Sequence, residues 1–72
     1  MLEDCSAVLS LIRSANVGSL MTHEDLRPGV NIVKLETSFM VLVDGSISEI
    51  HPLGGSDKDL SYALSAYVRN ES

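Results

Sequence analysis

Phe39-Met40-Val41-Leu42-Val43-Asp44-Gly45-Ser46-Ile47-Ser48-Glu49-Ile50 is the stretch on which the fold turns. An Asp-Gly pair between two β-prone runs is the strongest short-range hairpin signal, because a type I′ turn requires positive φ at both central positions. A two-residue loop at Asp44-Gly45 pairs Val43 with Ser46, Leu42 with Ile47, Val41 with Ser48, Met40 with Glu49 and Phe39 with Ile50. On that register Met40, Leu42 and Ile47 share one face of the hairpin, and Phe39, Val41, Val43 and Ile50 share the other. Both faces of the first strand are then apolar. A strand with one wet side alternates, so each side of this one calls for a cover.

Working outward, residues 30–36 are β-rich and supply a preceding strand, and Arg27-Pro28-Gly29 before them suits the centre of a type II turn. Residues 17–21 read as a short additional strand within a polar, turn-rich segment. Downstream, Pro52, Gly54 and Gly55 end the hairpin and Ser56 opens a helix. Ser56-Asp57-Lys58-Asp59 resembles a capping box with Asp in place of Glu or Gln. Leu60, Ala63, Leu64, Tyr67 and Val68 follow at helical spacing as an apolar stripe wide enough to lie on a sheet. Nearer the N-terminus, Cys5, Val8, Leu9, Ile12 and Ala15 form one face of a helix over residues 4–15. Glu3 and Asp4 suit the positive end of its dipole, and Asn16 and Gly18 supply a stop. Leu11 falls off that stripe and widens the apolar face.

The elements sum to an α+β domain spanning residues 1–72: a three- to four-stranded, mostly antiparallel sheet with an N-terminal and a C-terminal helix, in the order α-(β)-β-β-β-α. A chain of 72 residues with 44% hydrophobic content folds, yet one of this size buries only about 60% of its unfolded surface. Cys5 is the single cysteine, so no intrachain disulfide and no multi-cysteine zinc site can compensate. Small unstapled domains commonly complete their burial against a second copy or a partner, and a homodimer is the expectation here.

Ten acidic against five basic residues give a formal net charge of −5. The basic residues, Arg13, Arg27, Lys34, Lys58 and Arg69, are scattered, so direct nucleic-acid binding is not expected. A protein partner, if selected by charge, would be basic. The sequence Met1-Leu2-Glu3-Asp4-Cys5 is acidic where a secretory signal is basic, and no apolar run reaches the length of a membrane span, so a soluble, cytoplasmic protein without membrane contact is expected.

Residues with chemical potential are few. Cys5 sits on an apolar stripe beside two carboxylates, which suits a buried and inert thiol. His23-Glu24-Asp25 has ligand-type side chains but no second histidine at helical spacing, and His51 precedes Pro52 at a strand end. Gly54-Gly55-Ser56 leads into a helix like a phosphate cradle, but Asp57 and Asp59 in the first turn would repel an anion. No catalytic residue, metal or cofactor is expected. Neither the hairpin nor the second helix carries a motif specific enough to name a family.

The composition fits a small acidic protein-binding or regulatory module, not an enzyme. Two alternatives stand beside it: an inhibitor of the virus-encoded type that imitates the charge of nucleic acid, and a small structural subunit of a larger assembly. Leu11, Met40, Leu42, Ile47 and the off-stripe Tyr62 are the expected interface residues. Catalysis would require Cys5, His23 or His51 to converge on a cleft. Mimicry would gather carboxylates on one face, and a subunit would leave a large apolar patch open on the monomer.

Overall fold

The computed structural model describes residues 5–69, so Glu3 and Asp4, expected at the start of the first helix, lie outside the described residues. Helix α1 (Ser6–Ser14) is followed by strands β1 (Leu20–Met21), β2 (Val30–Lys34), β3 (Ser38–Val43) and β4 (Ser46–Pro52), then helix α2 (Asp57–Leu64). The four strands form one antiparallel meander in the order β1-β2-β3-β4. The class is α+β, with the order α-β-β-β-β-α.

The hairpin turn forms where the dipeptide requires it, with Asp44 at φ 51° and Gly45 at φ 85°. Val43 pairs with Ser46 and Leu42 with Ile47, as the two-residue loop dictates. Beyond them the expected register is wrong by one residue. A bulge shifts β4 so that Val41 lies opposite Glu49, Met40 opposite Ile50 and Phe39 opposite His51. The extra residue reverses the alternation of β4. Ile50 therefore joins Ile47, Leu42 and Met40 and leaves the face of Phe39 and Val41.

The Pro28–Gly29 turn closes with Val30 N–H donating to Arg27 C=O at 3.1 Å, and Gly29 sits at φ 87° as a type II turn demands. Strand β1 is shorter than residues 17–21, although Gly18 N–H donates to Lys34 C=O at 2.7 Å and Lys34 N–H to Ser19 C=O at 3.1 Å, extending its pairing with β2.

Both helices lie on the same side of the sheet. Val8, Leu9 and Ile12 of α1 and Leu60 and Leu64 of α2 form a single buried cluster with Val30, Ile32, Phe39 and Val41, joined by Cys5, Leu26, Tyr67 and Val68. Every apolar residue of that cluster from a strand belongs to one pleat of β2 or β3. The two helices share one face of β3 and leave the other without a layer, so within the chain the cover that each side calls for is supplied on one side only.

Ser56 caps α2, its Oγ accepting from Asp59 N–H at 3.2 Å. Ser56→Ala is expected to cost about 0.5 to 2 kcal/mol, read as a lower urea midpoint at unchanged slope. The helix ends at Leu64, before the end of its apolar stripe. Tyr67 and Val68 are nevertheless buried, because the chain turns and runs beside residues 25–27, where Leu26 and Val68 form an antiparallel bridge. Arg27 N–H donates to Tyr67 C=O at 2.9 Å and Arg69 N–H to Asp25 C=O at 2.7 Å. These long-range bonds replace the helical ones that the stripe alone implied.

Lys34 closes the other end of α1. It sits on the inner pleat of β2 at 8% exposure, opposite Phe39, and its ammonium donates to the carbonyls of Ile12 (2.8 Å), Arg13 (3.2 Å) and Ala15 (3.2 Å). A helix leaves its last carbonyls without partners and carries partial negative charge at that end. One cation satisfies both needs.

Candidate interaction surface

Directly opposed residues of neighbouring strands point to the same side of a sheet, so the pairing defines each face row by row. On the uncovered side the first row is Leu20, Val33, Met40 and Ile50, one residue from each of the four strands. The next is Asn31, Leu42 and Ile47, and Ser38 and Pro52 border the first row on its other side. No ionisable side chain occurs in these rows. Leu20, Ile47 and Ile50 are 64%, 61% and 55% exposed, while Val33, Met40 and Leu42 are partly buried by their neighbours.

The bulge builds this surface. Residues 47 and 50 are an odd number apart and would point to opposite sides of a regular strand. With the extra residue between them both face outward, and Glu49, opposite Val41, is carried to the helical side instead. At about 4.8 Å spacing and about 3.3 Å rise, strands of two, five, six and seven residues give the face roughly 300 Å² in projection. Contiguous exposed apolar patches of a few hundred Å² mark interaction sites more often than ordinary surface.

The expected interface residues divide between the two sides of the molecule. Met40, Leu42 and Ile47 come together on the outer face. Leu11, on α1, and Tyr62, on α2 and 71% exposed, belong to the helical layer. Leu20, Val33 and Ile50 complete the outer face and were not singled out from the sequence, because the first two need the β1–β2–β3 register and the third needs the bulge.

On the helical side the bulge brings together a polar group that the sequence pattern did not reveal. The Ser48 and Tyr67 hydroxyls share a hydrogen bond of 3.0 Å, His51 Nε2 meets the Glu49 carboxylate, and the His51 ring lies 5.5 Å from that of Phe39. The spacing Glu49-x-His51 could have indicated a shared face; the approach of Tyr67 depends on the chain reversal after α2. Burial, the largest cause, pushes the Tyr67 phenol above its ordinary value near 10; the Ser48 hydrogen bond and the Arg27 charge act in the lowering direction, and the Glu49 carboxylate in the raising one. The neutral phenol is therefore favoured by folding. Its contribution is fully present below about pH 10 and declines as pH rises from there toward the folded-state value, because the unfolded chain releases the proton first. Urea midpoints of the unmodified protein should fall between about pH 8 and about pH 11, with part of that fall missing in Tyr67→Phe.

The remaining candidates stay apart. Cys5 is buried in the core at the start of α1. His23 Nδ1 accepts from Asp25 N–H at 3.0 Å, which makes it a turn-forming side chain of the β1–β2 loop, while His51 sits toward the opposite end of the sheet. Among the described residues no group of three His, Cys, Asp or Glu side chains could hold a metal ion, and no helix is long and apolar enough to cross a membrane. Carboxylates occur at both ends of the sheet: Glu24, Asp25 and Asp44 at one, Glu36, Asp57 and Asp59 at the other. A groove of about 480 Å³ between α1 and α2 is lined by serine hydroxyls and by Arg13, whose guanidinium is already engaged with Asp57 at 2.7 Å. No family model matches the chain, and no curated protein or solved structure matches it.

Proposed function

We propose that this chain is a small protein-binding, regulatory module that acts through protein–protein contacts on the outer face of its sheet. The observation that carries the reading is the two-row apolar surface of Leu20, Val33, Met40, Ile50, Leu42 and Ile47, left without a covering layer because both helices occupy the other side. A thin domain leaves so much aliphatic surface in water only at a cost of about 25 cal/mol per Å², and contact with another protein removes that cost. The same surface suits a structural subunit of a larger assembly. Imitation of nucleic acid draws no support from carboxylates divided between the two ends of the sheet. A non-enzymatic role fits a molecule in which Cys5, His23 and His51 stay apart.

A photo-crosslinking residue placed at Met40 or Ile47 in the native host tests the proposal. Adducts should form from these positions and not from Tyr62 on the helical side. Adducts from Tyr62 or Leu11 alone would move the contact to the helices and overturn the assignment to the sheet.

A further inference from the structure

Resting on that reading, we infer that the occupant of the outer face is a second copy of this chain, packed sheet against sheet about a two-fold axis to give an α/β/β/α dimer. Charge permits this occupant on the outer face and disfavours it elsewhere. Two copies at −5 each repel, and close contact between them is tolerable only where neither brings a charge. The outer rows meet that condition, since none of their residues is ionisable. A basic partner, the natural match for an acidic protein, would find no carboxylate there and would be better met at the ends of the sheet. A self-complementary apolar face also satisfies a two-fold axis, which brings the same patch of each subunit together.

Shape favours the face over the edge. Strand β1, with two residues, is too short an edge to template another sheet. Strand β4 is longer, but its bulge between Ile47 and Glu49 interrupts the ladder near the turn and directs the Glu49 carboxylate to the inner side, both known devices against edge-to-edge pairing. Stacked sheets lie about 10 Å apart with side chains interdigitating, and Met40 near the centre has the flexible thioether that fills irregular gaps. Area sets the strength. The face offers roughly 300 Å² in projection against about 800 Å² of accessible surface per partner in a typical stable interface, which places the dimer at the weak end, in the micromolar range.

Light scattering coupled to size exclusion, over about a hundredfold concentration range, decides between the outcomes. The unmodified protein should pass from monomer to dimer mass with a melting midpoint that rises with concentration. Met40→Lys and Ile47→Lys should each weaken the dimer by about a hundredfold, while Tyr62→Lys should leave it intact. Circular dichroism shows whether each variant is folded, and Ile47→Ser serves if a lysine disturbs the strand. Raising salt from about 0.05 M to about 0.5 M should tighten the dimer of the unmodified protein, because it screens repulsion between like-charged copies. A monomer mass at every concentration overturns the inference; if Met40 and Ile47 then still crosslink to a protein of different mass, the binding-module reading survives it. A dimer indifferent to Met40 and Ile47, or one that loosens with salt, also overturns it.

Discussion

Lys34→Met is expected to lower the melting temperature by roughly 12 to 24 °C, corresponding to about 3 kcal/mol in a domain of this size. Methionine retains the aliphatic stem that runs through the core but removes the ammonium. The carbonyls of Ile12, Arg13 and Ala15 then lose the donor that holds them at 2.8 to 3.2 Å. Those carbonyls lie at the end of α1, so the last turn of the helix should fray and Ile12, fully buried above the sheet, should loosen with it. Hydrogen bonds to a charged group contribute about 1.5 to 3 kcal/mol each, although three sharing one ammonium do not add in full. A domain of this length has a total stability of about 4 to 10 kcal/mol, so the substitution removes a large part of it. Arginine should rescue only partly, since a planar guanidinium cannot aim its donors at three carbonyls as a compact ammonium does. Thermal melts and amide exchange at residues 12–15 provide the check. An unchanged melt would mean that Lys34 reaches water, not the helix end.

Phe39→Ala is expected to cost about 3 to 5 kcal/mol, enough to leave a measurable fraction of the chain unfolded in water. The Phe39 ring is fully buried between the two helices and the sheet and packs against His51, and its removal opens a cavity that neighbours can fill only in part. Phe39→Leu should cost less, about 1.5 kcal/mol, since it keeps most of the volume. The informative comparison is the adjacent residue. Met40 points to the uncovered side, so Met40→Ala should cost under about 1 kcal/mol in dilute solution. Urea titration at low protein concentration separates the two. Equal costs would show that a layer covers Met40 within the monomer, contrary to the placement of both helices on the side of Phe39.

Much of this architecture is legible in the sequence. Asp44-Gly45 specified the hairpin turn, Pro28-Gly29 the preceding turn and Ser56 the cap of α2, because each acts through the dihedral angles and hydrogen bonds of its immediate neighbours. The stripe Cys5, Val8, Leu9, Ile12 identified the buried face of α1, since helical period alone places those side chains together. Three matters required tertiary structure. The bulge that carries Ile50 outward and Glu49 inward leaves no local signature, because either register of Ser48-Glu49-Ile50 is compatible with the turn; contacts of Ser48 with Tyr67 and of His51 with Phe39 accompany the register that forms. The role of Lys34 depends on α1 ending above β2, a meeting of residues about twenty positions apart. Finally, a strand apolar on both sides states that both sides favour burial but not which one the helices take. That choice belongs to the packing of the whole chain, and it leaves Met40, Leu42 and Ile47 on an uncovered surface where the pattern alone equally allowed a second core.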